Sequence, residues 1–511
     1  MEDFVEHRIY EKNDKVAGTW LENTYPGVAC DVPAHIYCFL FEPNPNWSKF
    51  YAPGHEIREY IERTAAKYDL AKNITFHSRV TETIWDDPAG KWRLKVENTQ
   101  TGEVFEDECD IFVDCTGVLH HAIMPEIPGI DAFKGHLVHT ARWDSSYDYV
   151  GKKVGIIGNG SSGIQVLPPM QKTVGDSGHV YNFIRSPTWI TVGNLAHLTP
   201  TKDGQNFEYS EAQKSLFASD PIALRDYRRD MENRFDRGLE MYFKGSKMQA
   251  ALLHHTRKDM ARKLKGNPEL LKAMTPSFDI GCRRLTPGPG YLEAIQEPNC
   301  TPIFDKIKEI KENGLLLESG IFMKLDAIIC ATGFDVSGRP RWRTSGKDGK
   351  SLEKMWEHVP EGYLGICAPY MPNYFKFGGP NAPVSHGGLL PVMSDVADYV
   401  CKWVSKIARE DIRTATVKPE VVSDWNVYAQ EFLKRTSWSG SCSSWYKNHQ
   451  TDGPVTAMYP GSQIHHREFT QDVRGEDFNI EYRSANRFRF FGDGFTKREK
   501  EGGNLAWYME K

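Results

Sequence analysis

Lys153-Val-Gly-Ile-Ile-Gly158-Asn-Gly160-Ser-Ser-Gly163-Ile-Gln165 is an apolar run that breaks into three glycines and resumes with helix-compatible residues. The spacing fits G-x-G-x-x-G between a strand and a helix. The first glycine allows the tight turn, and the second lets backbone approach a pyrophosphate. The third lets helix and strand pack closely, and the helix N-terminus offers free N–H groups and a positive dipole end to phosphate. A dinucleotide site that prefers NAD places an acid about 20 residues further on, to bind the ribose 2′-hydroxyl. Here Arg185 stands 22 residues after Gly163 (185 − 163), with Ser186 beside it. A guanidinium fork suits a 2′-phosphate, so the pattern predicts NADP rather than NAD. An alternative reading of Arg185 as an ordinary surface charge stays open.

Working outward, the chain alternates strand, turn and helix signals. Residues 5–11 and 110–117 read as strands, the second running into Thr116-Gly117. Residues 54–68 carry Ile57, Tyr60, Ile61, Ala65 and Tyr68 at helical spacing. Short alternating runs at 80–85, 91–97 and 103–106 surround the turn Asp86-Asp-Pro-Ala-Gly90. The helix that opens at Ser161 is expected to end soon, at Pro168-Pro169. Strands follow at 180–185 and 326–334, and residues 208–275 read as a helical insert. The fold class predicted is α/β with two Rossmann-like dinucleotide-binding units.

The 511 residues exceed one ordinary core, which favours two domains. Apolar residues make up 40% and aromatics 12%, enough for substantial cores. A net charge of −5 leaves no basic footprint for nucleic acid. No apolar run approaches the roughly 18 residues that read as a membrane span, and no secretory signal opens the chain, so the expected setting is cytoplasmic. The ten cysteines are scattered without C-x-x-C, which argues against metal ribbons and disulfide frameworks. No metal ligands are predicted.

A second motif carries a family resemblance. Phe133-Lys-Gly135-His-Leu-Val-His139-Thr-Ala-Arg-Trp143-Asp144 matches F-x-G-x-x-x-H-x-x-x-W-[PD], and with it the chain resembles the Baeyer–Villiger flavin monooxygenases. On residues alone Phe133, His139 and Trp143 could equally pack a core. The resemblance implies FAD and NADPH as cofactors, and a segment that links the two nucleotide domains. It divides the chain into a first part of the FAD domain (1–145), an NADP domain with the insert (146–330), and a return to the FAD domain with C-terminal loops (331–511). Sister N- and S-oxygenating enzymes usually end this motif in an aromatic other than Trp.

The resemblance also assigns residues. Glu11 resembles the acid that binds the adenosine ribose of FAD. Gly18, Thr19, Trp20, Leu21, Glu22, Asp31, Val32 and Tyr37 would line FAD, with Ala29, Cys30 and Asp31 near the nicotinamide. Gly158, Asn159, Gly160, Ser161, Ser162, Gly163, Ile164 and Gln165 would cradle NADP, with Arg185, Ser186, Arg283 and Trp445 joining them. Ser444-Trp445-Tyr446 resembles a mobile loop that closes over NADP. Two departures stand out: Ala29 replaces a frequent Arg, and Arg283 replaces a frequent Lys. Arg284 is the implied catalytic cation, stabilising the oxyanion formed when a ketone is attacked, and Asp31 would orient it.

The family begins with its own strand–G-x-G-x-x-G–helix for the FAD pyrophosphate. Met1-Glu-Asp-Phe-Val resembles the segment just after that helix, so roughly 30 residues of a Rossmann start are expected to be missing. The implied reaction converts a ketone and O2 to an ester or lactone, by analogy in secondary metabolism of polyketides or terpenoids. An N- or S-oxygenating or hydroxylating flavoenzyme, and an FAD-less NADP-binding relic, remain the alternatives.

Overall fold

The computed structural model describes residues 5–191, 199–200, 206–384 and 387–510. The segment Met1–Phe4, read above as following a Rossmann helix, lies outside the described residues. The centre of the molecule is a five-stranded parallel sheet. Its strand order is Cys300–Ile303, His179–Phe183, Lys153–Ile157, Ala327–Cys330, His136–His139. Successive side chains leave opposite faces of a strand, and both faces here are apolar, as a doubly covered parallel sheet requires. Val154, Ile156, Ala327 and Ile329 join one core with Ile164, Leu167, Met170 and Val174 of the helix Ser161–Val174. Ile157, Phe183, Ile328 and Cys330 face the other way. There they meet the antiparallel strands Ile307–Lys311, Gly314–Leu317 and Phe322–Lys324.

The helix Ser161–Val174 does not stop at its prolines; both lie inside it. Prolines at 168 and 169 remove two helical N–H donors, which frees carbonyls one turn earlier. The Gln165 carbonyl is one of them, and Gly27 packs so closely on it that a Cβ at Gly27 would come within 2.2 Å. Burial of Leu167, Met170 and Val174 holds the second half of the helix in place. Tertiary packing overrides the local breaker.

A four-stranded sheet runs Arg343–Ser345, Ser78–Asp86, Lys91–Asn98, Val104–Cys109, and carries the hairpin foreseen at 86–90. Beside it stand two parallel ribbons. Ile9–Tyr10 pairs with Ile74–Thr75, and Phe112–Asp114 pairs with Tyr374–Lys376. In the second ribbon Lys376 Nζ meets Asp114 Oδ2 at 2.7 Å, with both side chains almost wholly buried. Helix Leu389–Arg409 buries Val396, Tyr399, Val400 and Trp403 against the antiparallel pair Ile412–Val417 and Phe478–Tyr482. Helices Glu211–Ser219, Pro221–Asp236, Lys247–Lys263 and Pro268–Met274 occupy the stretch read as helical. Among the described residues no helix is long and apolar enough to cross a membrane.

Candidate active site

The glycine turn leaves Lys153–Ile157 at its C-terminal end, where ligands of parallel α/β sheets gather. Gly158 has φ +111°, and a Cβ there would come within 2.5 Å of the Ala331 carbonyl. A Cβ on Gly163 would lie 2.4 Å from the Gly158 carbonyl. Around Gly160 nothing lies within 4 Å of that position. Two glycines are thus demanded by close packing, while the middle one faces open space in front of the helix N-terminus. That shape fits a pyrophosphate. Ser161 Oγ lies 2.9 Å from Thr286 Oγ1, tying the cradle to the segment that carries the two arginines. Asn159 is buried.

Arg283 gathers the neighbours of a phosphate site. It donates to Ser186 Oγ at 2.7 Å, to Thr188 Oγ1 at 3.1 Å and to the Ser443 carbonyl at 3.0 Å, and it lies over the Phe278 ring. Burial, and secondarily the like charge of Arg185, lower its pKa. The like charge of Arg185 near Arg283 favours an anion at this place.

Arg284 points elsewhere. Its Nε and Nη2 hold Asp31 in a two-point grip, at 2.5 Å to Oδ2 and 2.7 Å to Oδ1. Burial works against the guanidinium charge, but the Asp31 carboxylate outweighs it and raises the pKa above the ordinary arginine value. Asp31 sits in the loop after Tyr25, which the helix Ser161–Val174 holds from both sides. Tyr25 Oη donates to Gln165 Oε1 at 2.6 Å, and Gln165 Nε2 donates to the Ala29 carbonyl at 2.9 Å. The glycine-cradle helix therefore positions the carboxylate partner of Arg284. Tyr51, Tyr242 and Tyr446 are buried; Asp31 acts on all three and Arg284 on the latter two, and burial first, then Arg284 and Asp31, set Tyr242 at about 12.

The other foreseen residues form a second group. Gly18 has φ +46° and starts the short helix Thr19–Glu22, which includes Leu21. Glu22 meets Lys12 at 2.6 Å and accepts from Asn13 Nδ2 at 3.1 Å, while Glu11 Oε1 accepts the Asn13 N–H at 2.8 Å. Trp20 Nε1 donates to Tyr37 Oη at 3.2 Å. Cys30 and Val32 are buried, and the Val32 N–H points to Cys30 Sγ. This acidic and aromatic group and the arginine pair are joined through the loop 25–37.

The 133–144 motif is built into the sheet. Gly135 is required by space: a Cβ there would lie 2.5 Å from both the Asp326 carbonyl and the Phe133 ring. His139 is buried, and its Nδ1 accepts the Ala141 N–H at 3.0 Å. Its ring packs edge-on against Phe334, whose carbonyl lies 2.8 Å from His449 Nε2. Trp143 stacks on Tyr149, and Asp144 Oδ1 accepts from the Ser146 N–H and hydroxyl. The core-packing reading holds for Phe133, which packs at the start of the strand His136–His139, and for His139, which stands at its C-terminal end level with Ile157.

One expectation fails here. Cys282 and Cys442, 160 residues apart, form a disulfide with Cα atoms 6.3 Å apart. Scattered spacing hid it because both cysteines reach one place only after folding. No sequence signal pairs them, although Cys282 stands just before Arg283-Arg284 and Cys442 two residues before Ser444-Trp445. Tyr25 opens the run Tyr25-Pro-Gly-Val-Ala-Cys-Asp31, which resembles the family's flavin-contacting loop, whereas Thr286, which ties down Ser161, had no motif of its own.

Residues 2–201 match the model for flavin-binding monooxygenase-like proteins. The FAD-binding monooxygenase tazF of Aspergillus terreus is 44% identical over 512 aligned residues, spanning 99% of this chain and 90% of the relative. The chain belongs to the FAD-binding monooxygenase family. It is also 31% identical to a Baeyer–Villiger monooxygenase of Streptomyces coelicolor, over 94% of this chain and 88% of that one. The fold superposes on a closed crystal structure of cyclohexanone monooxygenase with a TM-score of 0.79, at 23% identity over 93% and 94% of the two chains. As a family member the chain is a flavin-binding monooxygenase.

Proposed function

We propose that this chain is a Baeyer–Villiger monooxygenase that uses FAD, NADPH and O2 to convert a ketone into an ester or lactone. The observation that carries the reading is the Arg284–Asp31 pair, set one residue from the Arg283 phosphate cluster. In this reading residues 1–145 and 331–511 serve FAD, and residues 146–330 serve NADP.

The amides of Gly158–Gly163 and the adjoining helix N-terminus hold the NADPH pyrophosphate, with Asn159, Ser161, Ser162, Ile164 and Gln165 shaping the cradle. Arg185, Ser186 and Arg283 take the 2′-phosphate, which favours NADPH over NADH. Glu11 holds a ribose of FAD, and Gly18 to Glu22, Val32 and Tyr37 contact it. Reduced FAD, when bound, supplies the electrons that activate O2. Ala29, Cys30 and Asp31 border the nicotinamide, and Trp445 closes the loop over the dinucleotide.

Arg284 places a fixed positive charge where oxyanion character develops on the ketone oxygen, a charge that needs no proton transfer and no reorientation at the moment of reaction. Asp31 keeps the guanidinium plane fixed by engaging Nε and Nη2. The likeness to a fungal FAD-binding monooxygenase fits, by analogy, a ketone of secondary metabolism.

The test is to incubate the purified yellow holoprotein with NADPH, 18O2 and a panel of cyclic and aromatic ketones. Ester or lactone carrying one 18O supports the reading. Oxygen delivered only to amines or sulfides, or a protein that binds no flavin, would sink it.

A further inference from the structure

We infer that the Cys282–Cys442 bond is a reversible latch, which locks the loop of residues 438–447 onto the arginine pair when oxidised and lets it open when reduced. The inference rests on the reading above in one respect, that this loop covers NADP. Eight of the ten cysteines carry free thiols. The one bridge joins two site segments. Cys282 immediately precedes Arg283 and Arg284, and Cys442 lies two residues before Ser444-Trp445.

The placement gives the bond mechanical leverage. Arg283 Nε donates to the Ser443 carbonyl next to Cys442, so the bridge and this hydrogen bond clamp the same two residues of the loop. Beyond Trp445 the loop closes on itself, with Lys447 Nζ donating to the Gly440 and Thr451 carbonyls. Below it, Trp438 packs on Tyr242. Once a 2′-phosphate competes for Arg283, its bond to Ser443 weakens and the covalent bridge becomes the main tie between loop and arginines. Cys282 and Cys442 are 0% and 3% exposed, so a dithiol reductant gains access only when the loop loosens.

The redox step is balanced by hydrogen peroxide, which flavin–oxygen chemistry releases when no substrate takes up the oxygen. One thiolate attacks a peroxide oxygen, breaking the O–O bond and giving a sulfenic acid and water. The second thiol then displaces the hydroxyl as water and closes the S–S bond. Two thiols and one H2O2 become one disulfide and two waters. A small dithiol returns both electrons by exchange. Uncoupled turnover would thus close the loop, hold the nucleotide and slow further NADPH consumption, because opening and product release govern turnover in enzymes with closing loops.

The experiment uses the full-length holoprotein in a Cys115→Ser/Cys401→Ser background, which removes the exposed thiols. It is prepared in dithiol-reduced and peroxide-oxidised forms, with thiols counted by alkylation and intact mass. Hydrogen exchange of peptides spanning 438–452 and NADP+ release by stopped flow are measured on both forms and on Cys442→Ser and Cys282→Ser. The latch predicts slower exchange in the loop and NADP+ release slowed roughly tenfold in the oxidised form. Either serine variant should match the reduced form and ignore peroxide. Equal loop exchange in both redox forms, or a Cys442→Ser protein that still responds to peroxide, overturns the latch. If the loop responds but neither form binds NADP+, the latch stands and the assignment of the loop to NADP falls.

Discussion

Arg284 and Asp31, 253 residues apart in sequence, meet through two hydrogen bonds that fix the guanidinium plane. The contact is conditional on the cradle helix, because Gln165 holds the loop that presents Asp31. The glycine-cradle helix and the proposed catalytic cation are therefore tied through one loop. Asp31→Asn keeps the shape and loses the charge, while Asp31→Ala releases the guanidinium. Asp31→Ala should lower ketone oxygenation on the order of 10²-fold, the scale of an ångström-level misplacement, with Asp31→Asn between it and the parent. Steady-state kcat measured against the rate of flavin reduction checks this; oxygenation falling no more than reduction would contradict the orienting role.

Arg185, Ser186 and Arg283 set the nucleotide preference in the proposed function. Losing one charge-assisted hydrogen bond costs about 1.5–3 kcal/mol, so Arg283→Ala or Arg185→Ala should raise KM for NADPH roughly 10- to 100-fold. KM for NADH should move little. The ratio of kcat/KM for the two nucleotides is the measurement, and equal losses for both would remove the 2′-phosphate from the account.

How much of this was legible depended on the range of the interaction. Gly158–Gly163 are local: their spacing after one strand predicts a tight strand-to-helix turn, and the observed turn has it. The parallel sheet followed from apolar runs flanked by glycine turns. Pro168 and Pro169 misled because the local hydrogen-bond rule applies to each turn in isolation, whereas Leu167, Met170 and Val174 anchor this helix in the core. The Asp31–Arg284 contact came through resemblance, since no periodicity brings positions 31 and 284 together. The Cys282–Cys442 bond had neither source. Spacing carries no information about two thiols that meet only in the folded chain.

Lys376 and Asp114 make a buried pair inside the ribbon of Phe112–Asp114 and Tyr374–Lys376. Burial opposes ionisation of Asp114, but Lys376 and the hydroxyl and N–H of Thr116 outweigh it and hold the carboxyl below its ordinary pKa. Removing one partner strands a buried charge, so Lys376→Ala should cost about 3–5 kcal/mol in urea unfolding. Because the folded pKa is depressed, the pair's contribution is present above the unfolded value near 3.9 and disappears as pH falls through the folded one. An Asp114→Asn/Lys376→Met double variant should show a flatter acid limb below about pH 4. An unchanged acid limb would contradict the assignment.

Buried neutral histidines act on the same acid flank of the curve, beginning at higher pH. Burial lowers His139 to about 4, with Arg142 adding to it, and lowers His35 to about 3 and His466 to about 4. The unfolded chain then takes up protons below about pH 6.5 that the folded chain refuses, so stability should fall as pH drops from there towards 4. Thermal unfolding of His139→Gln followed from pH 7 to pH 5 should show a smaller loss than the parent. An identical slope would mean that His139 does not titrate on unfolding.

The most direct test of the central claim is a single-turnover experiment on Arg284→Ala. The flavin is first reduced anaerobically with NADPH, and the reduced enzyme is then mixed with 18O2 and a ketone that the parent enzyme converts. Flavin reduction should stay within a few-fold of the parent and ester yield should fall by about 10²–10³, the usual cost of deleting a group that stabilises an oxyanion. Arg284→Ala protein that forms labelled ester at the parent's rate would contradict the claim.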